Sequence, residues 1–311
     1  MPLTPALGAL LDQVAAANAP GIETLPLDVG RAGAIVMVQA TEGPKQPVAA
    51  IEDRELATSA GAVRARVYWP ARTDEPLAVV AYFHGGGWVI MGIETHDNIC
   101  RRLTNATGAI VVSIEYRLAP EDPFPAALED CVAATQWLAE HGADLGGDPR
   151  RLVVAGDSAG GNLAAATALR ARDDGPDLRG QVLVYPVCDS AADTESYRVN
   201  GEGYLLTATA MAWFWDCYLG PDGDSADPYA SPVHARDLTS LPPALVLTAE
   251  YDPLRDEGEA YAHRLEACDV PVTLHRFDGL IHGFLGMEAI VPEADAAMAE
   301  IGAFVRGVVR T

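Results

Sequence analysis

The sequence predicts an α/β protein built on a mostly parallel, doubly wound sheet. Three observations lead to this prediction. From residue 61 onward, short apolar runs alternate with longer stretches of helical periodicity. Most of the apolar runs are continuous in Val, Ile and Leu, as expected for strands whose sheet is covered by helices on both faces. The chain has 311 residues, a length at which an α/β fold often remains a single domain.

Seven runs are predicted as strands and five stretches as helices. The first strand alternates apolar and polar residues, which is typical of a strand with one face in solvent. The predicted strands cover residues 63–69, 77–83, 109–116, 152–155, 182–185, 244–249 and 270–277, and the predicted helices cover 95–107, 126–141, 162–172, 257–268 and 293–309.

Two regions interrupt this alternation. Residues 1–50 precede the predicted sheet and begin with an amphipathic helical pattern. Residues 190–240 separate two predicted strands and concentrate large apolar side chains, which fit either a small satellite core or a lid that lines an apolar pocket. The residues that carry these two patterns are Leu7, Leu10, Leu11 and Val14 in the first region, and Met211, Trp213, Phe214, Trp215 and Tyr218 in the second.

The charge of the chain excludes several classes of partner. Lys and Arg number 21 against 44 Asp and Glu, which gives a formal charge of −23. A surface of this charge repels nucleic acids and anionic membranes, so neither is expected as a partner. Lys45 is the single lysine. An acidic surface with so few lysines suits a salt-rich habitat, but an Arg- and Ala-rich genome would also produce it.

The cysteines and apolar runs predict a cytoplasmic protein that is not inserted in a membrane. The five cysteines are scattered and form no C-x-x-C pair, so we expect reduced thiols and neither a zinc site nor a disulfide framework. The first thirty residues contain no Lys or Arg, unlike a secretory signal. No apolar run reaches the eighteen or so residues that span a bilayer.

The strongest local motif is G-D-S-A-G at residues 156–160, directly after a predicted strand and before a predicted helix. This is the G-x-S-x-G nucleophile elbow in the strand–turn–helix context that it requires. The sharp turn leaves no room for side chains at Gly156 and Gly160, and it presents the Ser158 hydroxyl at the carboxyl edge of the sheet. The alternative is a serine that only caps the helix.

A second motif, H-G-G-G at residues 84–87, follows the strand predicted at 77–83. Three successive glycines let backbone N–H groups approach a reacting oxygen, as acyl transfer requires when negative charge develops on a carbonyl oxygen. We expect the amides of Gly86, Gly87 and Ala159 to form this oxyanion hole, with Gly85 shaping the turn. A phosphate-binding loop does not fit, because neither G-x-G-x-x-G nor G-K-[ST] is present.

The base and the acid are predicted from position. Of seven histidines, His282 alone falls in a loop after the last predicted strand, whereas His84 is expected to brace the glycine loop. Asp252 follows the preceding strand at its carboxyl end, where open α/β sheets place their sites. Glu250 and Asp256 are the alternative acids. If they are not catalytic, we expect them to be surface charges at the start of a helix, and we expect the same of Glu257.

These motifs give the chain a family resemblance that covers residues 61–290. The sequence resembles the hormone-sensitive-lipase-like esterases, also called bacterial esterase family IV. The matching segments, in family order, are H-G-G-G-W at 84–88, Y-R-L-A-P-E at 116–121, G-D-S-A-G-G-N-L-A at 156–164, D-P-L-R-D-E-G at 252–258 and I-H-G-F at 281–284.

The resemblance implies an α/β-hydrolase fold with eight strands and a helical cap. Residues 1–50 and 191–240 would form the cap, and 51–190 with 241–311 the catalytic core. It further implies hydrolysis of short-acyl carboxylic esters by Ser158, His282 and Asp252 without a cofactor. Separately, we expect no metal and a monomer or homodimer. An amidase, peptidase or deacetylase on the same residues is the alternative; a receptor is a poorer match, because His282 is retained. The predicted pocket residues are Trp88, Trp213, Phe214 and Phe284.

Overall fold

A computed structural model describes residues 2–310, and within them eight strands form one sheet. This confirms the predicted α/β class. The strands are β1 (Ala50–Thr58), β2 (Gly61–Trp69), β3 (Leu77–Phe83), β4 (Ile110–Glu115), β5 (Gly147–Asp157), β6 (Gly180–Val184), β7 (Ala244–Tyr251) and β8 (Val272–Ile281).

The order of the strands places Ser158, Asp252, His282 and the glycine loop at one edge of the sheet. The spatial order is β1-β2-β4-β3-β5-β6-β7-β8. β1 and β2 form an antiparallel hairpin and β2 pairs antiparallel to β4, whereas every pair from β4 to β8 is parallel. The carboxyl ends of β3, β5, β7 and β8 therefore lie at the same edge. From β3 the chain continues to β4 on one side of it and then to β5 on its other side. Open α/β sheets bind ligands at such a switch point.

The helices cover both faces of the sheet. α4, α5 and α8 contribute to the apolar cluster on one face, and α1, α3 and α9 to the cluster on the other. The helices are α1 (Pro5–Ala17), α2 (Leu27–Thr41), α3 (Asp97–Thr107), α4 (Ala126–His141), α5 (Ala159–Asp174), α6 (Glu195–Asn200), α7 (Ala208–Leu219), α8 (Arg255–Glu266) and α9 (Glu293–Val308). Among residues 2–310, no helix combines the length and the apolarity needed to cross a bilayer.

Strand β1 is absent from the seven strands predicted by periodicity, although the family resemblance implies eight. The reason lies in its environment at the sheet edge. Only Leu56 of its nine residues is fully buried, and most of the others are exposed. A strand with so little apolar surface lacks the alternation by which a strand is recognised. Pairing with β2 along its whole length holds it in place.

The two irregular regions both contain helices that pack near the carboxyl edge. Arg31 on α2 donates from Nε to the Val89 carbonyl oxygen at 2.9 Å and pairs with Glu121 at 2.7 Å. On α7, Tyr218 stacks on Trp88 with ring centroids 4.0 Å apart. The buried side chains of α7 belong to the same apolar cluster as the sheet, so they do not form a separate satellite core. The division into cap and core segments stays a prediction.

Candidate active site

Ser158 lies at the turn between β5 and α5 in a strained backbone conformation. Its φ of 56° and ψ of −121° are unusual for a residue with a side chain. The neighbouring glycines permit this turn: a β-carbon on Gly156 would collide with the Gly160 carbonyl, and one on Gly160 with the Phe83 carbonyl. The Ser158 N–H donates to the Val184 carbonyl oxygen at 2.8 Å, which fixes the turn to β6.

His282 connects Ser158 to Asp252. Its Nε2 lies 2.9 Å from the Ser158 Oγ, and its Nδ1 lies 2.8 Å from Asp252 Oδ2. Asp252 is fully buried, and its other carboxylate oxygen accepts the Leu254 N–H at 2.8 Å. In this arrangement the Asp252 carboxylate is placed to accept a hydrogen bond from Nδ1, and Nε2 is placed to accept one from the serine hydroxyl.

The alternative acids bind other groups. Glu250 accepts the Gly279 N–H at 2.7 Å. Asp256 accepts the Ser196 N–H at 2.8 Å and pairs with Arg255 at 2.8 Å. Asp252 is the carboxylate that the structure places against the His282 ring.

The glycine loop after β3 turns back on itself. Gly86 and Gly87 have φ values of 114° and 56°, in the region that favours glycine. A β-carbon on Gly86 would collide with the Ile90 carbonyl. The N–H of Ile90 donates to the Gly86 carbonyl oxygen at 3.0 Å, which closes the turn. Among the hydrogen bonds within residues 2–310, none uses the N–H of Gly86 or Gly87. Two backbone donors therefore remain available on this loop. Ala159, the third predicted donor, is the first residue of α5.

His84 supports the glycine loop from below. It is fully buried and stacks on Tyr116, with ring centroids 4.1 Å apart. The Tyr116 hydroxyl donates to the His84 carbonyl oxygen at 2.7 Å. Burial, and then the charge of His96, lower the pKa of His84 to about 3, so His84 is neutral at physiological pH. This position agrees with a bracing role rather than with proton transfer to substrate.

Three buried polar residues near the elbow were missed from the sequence. Asn162 donates to the carbonyl oxygens of Val187 and Ala230, at 3.0 and 2.8 Å. Asp157 and His96 lie within 3.3 Å of each other at the glycine loop. The sequence offered only one signal for them: Asp157 and Asn162 fall inside the segment that carries the family resemblance.

Glu257 is not the surface charge that its position at a helix start suggested. It is 1% exposed, and its Oε1 accepts the N–H groups of Cys188 and Asp189 at 2.7 and 3.3 Å. Burial raises the pKa of Glu257 well above its usual value of 4.5, although the two N–H groups act in the opposite direction. The prediction was wrong because α8 turns this side chain inward toward the segment after β6.

The four predicted pocket residues differ in their surroundings. Phe214 lies on α7 with its ring against Gly87. Trp213 is half-buried, with its ring 5.1 Å from that of Phe214. Trp88 is fully buried between α7 and the sheet, and Phe284 is fully buried against Tyr185, whose ring lies 4.7 Å from His282. Phe214 therefore has the most direct relation to the glycine loop.

A small cavity of about 100 Å³ lies beside Tyr185, and none of the four predicted pocket residues is among the residues that line it. It is bounded by Asp157, which precedes Ser158, and by Gly283, which follows His282. Much of its wall is apolar, and part of that wall comes from α2. The apolar side chains that line it include Met37, Val38, Met91, Ile99 and Met287. In the part of the chain that the structure describes, no cluster of three or more His, Cys, Asp or Glu side chains could hold a metal ion.

The fold, with Ser158, His282 and Asp252 joined by hydrogen bonds at the elbow after β5, defines an α/β-hydrolase. Comparison with known proteins agrees. A family model described as alpha/beta hydrolase fold matches residues 80–286. The chain belongs to this family, which confirms the resemblance predicted from its motifs.

Relatives of known name are similar over most of their length. The chain is 44% identical to esterase LipI of Mycobacterium tuberculosis over 82% of each protein. It is 37% identical to an ethyl acetate hydrolase of Pseudomonas putida, covering 97% of this chain and 98% of that protein. An ester hydrolase from the metagenome of Lake Arreo, solved with a bipyridine phosphonate derivative, superposes with a TM-score of 0.95 at 41% identity, covering 99% of this chain and all of that one.

Proposed function

We propose that the chain hydrolyses carboxylic esters by two-step acyl transfer through Ser158. The chain is an ester hydrolase of the α/β-hydrolase fold, since it belongs to that family and its relatives are named esterases. The observation that carries the proposed mechanism is the hydrogen-bonded chain from the Ser158 hydroxyl through His282 to the buried Asp252.

In the first step, the Ser158 Oγ attacks the ester carbonyl carbon while the His282 Nε2 takes the hydroxyl proton. The imidazolium that forms is stabilised by the Asp252 carboxylate at 2.8 Å. The tetrahedral intermediate then collapses, and the C–O bond to the alcohol breaks. His282 returns the proton to the departing alkoxide, which leaves an acyl group on Ser158 and the alcohol as first product.

In the second step, water replaces the alcohol. His282 takes a proton from water, whose oxygen attacks the acyl carbon, and the proton then passes to the Ser158 oxygen as the acid leaves. In both steps negative charge develops on the former carbonyl oxygen. The amides of Gly86 and Gly87, which no other acceptor uses within the described residues, and the Ala159 amide at the start of α5 would stabilise it.

Short-chain esters of small alcohols are the proposed substrates. A largely apolar cavity of about 100 Å³ lies next to the site, lined by Asp157 and Gly283, the chain neighbours of Ser158 and His282, and not by those two side chains. One relative that aligns over nearly its whole length is named an ethyl acetate hydrolase.

The test is the initial rate of hydrolysis of p-nitrophenyl esters from acetate to dodecanoate, by the native protein and by the Ser158→Ala variant. We expect the highest kcat/KM at short chains and a loss of at least about 10⁴-fold in the variant. Each ester is paired with its anilide, and faster cleavage of the anilide would favour an amidase. Ester hydrolysis that survives Ser158→Ala would refute the mechanism.

A cytoplasmic location and a monomeric or homodimeric state are also proposed. The five cysteines are all free, and three of them are buried, as suits a reducing compartment. Light scattering after size-exclusion chromatography measures the mass of the particle against the 32.8 kDa chain. A mass of three or more chains would contradict this proposal.

A further inference from the structure

Helix α6 contacts the loop that carries Asp252. This helix lies in the region that interrupts the strand–helix alternation, whereas Asp252 lies between β7 and α8. Ser196 and Asn200 stand four positions apart on α6, so they share one face of the helix. Both are buried, at 0% and 4% exposure, and both donate to main-chain carbonyl groups around Asp252. The mechanism proposed above uses neither of them.

The side-chain amide of Asn200 bridges two carbonyl groups on either side of Tyr251. Its Nδ2 lies 3.2 Å from the Glu250 carbonyl oxygen and 3.3 Å from that of Asp252. A carbonyl oxygen only accepts hydrogen bonds, so the group that faces both of them is the NH₂ and not the side-chain oxygen. The two hydrogens of one nitrogen therefore connect the end of β7 and the residue after it to α6.

The strand ladder alone does not fix this stretch of backbone. The pairing of β7 with β6 ends at Leu247, and the register of β7 against β8 shifts between Ala249 and Tyr251. Asp252 is the residue that follows β7, just past this irregular pairing. Its carboxylate must still keep one direction, because Oδ2 lies 2.8 Å from the His282 Nδ1. The contacts with α6 supply a constraint that the sheet does not.

Ser196 holds the next part of the loop. Its hydroxyl donates to the Pro253 carbonyl oxygen at 2.6 Å and accepts the Asp256 N–H at 3.2 Å. The Ser196 N–H in turn donates to the Asp256 carboxylate at 2.8 Å. Together with the two hydrogen bonds of Asn200, these contacts connect α6 to residues 250–256 on both sides of the Asp252 side chain.

We propose that Asn200 is a positioning residue, whose amide holds the main chain at Asp252 so that the carboxylate stays directed at the His282 ring. A misdirected carboxylate stabilises the imidazolium less in the transition state, whereas binding of the ester changes little. The region that contains α6 and α7 then bears on the site at two places, since Phe214 on α7 lies against Gly87. The inference rests on the proposed function, in which Asp252 stabilises that imidazolium.

A double-mutant cycle between Asn200 and Asp252 tests this proposal. Asn200→Leu has nearly the same shape without the two donors, and each carbonyl oxygen keeps a donor from Arg255, at 3.0 and 3.2 Å. We expect kcat on p-nitrophenyl acetate to fall about tenfold, with KM changed less than about twofold. In the Asp252→Ala background, the same substitution should change kcat less than about twofold, because the carboxylate through which Asn200 acts is gone.

Asn105→Leu is the matched control. The Asn105 amide, on α3, also donates to a main-chain carbonyl oxygen, that of Pro47 at 3.1 Å, so this variant loses the same kind of hydrogen bond elsewhere and should keep its kcat. Each rate is divided by the concentration of folded chain, measured by near-ultraviolet circular dichroism. If Asn200→Leu does not fold, Asn200→Ala leaves room for water at the two carbonyls and is taken through the same cycle, with the same pattern expected.

Two results would overturn the proposal: an unchanged kcat when Asn200 is replaced in the native background, or an equal loss of kcat in both backgrounds. The second result would show that Asn200 acts on the fold and not through Asp252. Failure of the proposed function is a different result. It would appear as absent ester hydrolysis in the native protein, or as a native kcat in Asp252→Ala alone.

Discussion

The ring of Phe214 stands where a side chain on Gly87 would have to be. A β-carbon on Gly87 would collide with that ring, and the φ of 56° at Gly87 adds strain to any substitution. Phe214 belongs to α7, in the region that interrupts the strand–helix alternation, whereas Gly87 belongs to the loop after β3. The interrupting region therefore contacts the glycine loop directly, and its packing bears on the geometry of the site.

Gly86→Ala should reduce the rate of the chemical step. The added methyl group meets the Ile90 carbonyl in a backbone conformation with φ of 114°, so the loop must change shape and its amides turn away. We expect kcat to fall by about 10²–10³, as for the loss of one oxyanion donor, with a smaller change in KM. Gly33→Ala on α2 is the matched control, because its β-carbon meets nothing within 4 Å. Equal kinetics for the two variants would contradict the assignment.

Phe214→Ala should broaden the range of acyl chains. Removing the ring opens space beside Gly87. We therefore expect kcat/KM for p-nitrophenyl octanoate, divided by kcat/KM for the acetate, to rise by about tenfold. This factor corresponds to the binding free energy of one or two additional buried methylene groups. Rates on a series of esters measure this ratio. Val199→Ala, an exposed change in the same region, should leave the ratio as it is. A ratio that stays constant in Phe214→Ala would remove Phe214 from the pocket.

Glu257→Gln should flatten the dependence of stability on pH. The pKa of Glu257 is raised in the folded protein, so its favourable contribution is complete below about 4.5 and is lost as pH rises toward the folded pKa. The loss is at most about 1.4 kcal/mol per pH unit. We therefore expect the difference in free energy of unfolding, variant minus native, to become more positive from pH 5 to pH 8. Urea unfolding at each pH measures this difference, and a difference independent of pH would show that Glu257 is ionised when folded.

Arg102→Ala should destabilise the protein more than the loss of an exposed ion pair does. Arg102 is 2% exposed and donates to the Leu285 carbonyl oxygen at 2.8 Å and to Glu288 and Asp295, thereby connecting α3, the loop after His282 and α9. Removing one partner of a buried ion pair costs about 3–5 kcal/mol, and this is an upper bound for Arg102 because Asp295 is 74% exposed. Arg54→Ala, which breaks an exposed pair with Glu52 on β1, should cost less than about 1 kcal/mol. Urea unfolding of both variants distinguishes them, and similar losses would contradict the account.

The core of the fold was predictable because its signals are local. Apolar runs, most of them continuous and the first one alternating, predicted seven strands, and helical periodicity predicted α4 at the bounds that the structure has. β1 was missed because an edge strand with one buried side chain lacks that periodicity. α2 was missed too: it contains Gly30 and Gly33 and leaves Val36 65% exposed, so it does not look like a core-packing helix.

The site was predictable only as far as its motifs extend. The positions of Ser158, Asp252 and His282 follow from strand ends and chain order, since the carboxyl ends of parallel strands meet at one edge. The buried contacts of His96 with Asp157 and of Glu257 with the Cys188 N–H join residues more than 60 positions apart. No local pattern reveals such a contact. Charged residues near helix starts look like surface residues until the fold buries them.

The most direct test of the mechanism is to identify the atom that carries the covalent intermediate. The native protein is treated with a fluorophosphonate, digested, and analysed by mass spectrometry. The account predicts one adduct per chain, on the peptide that contains Ser158, and no adduct in Ser158→Ala. An active enzyme whose adduct maps to another residue, or that is labelled equally after the substitution, would contradict it.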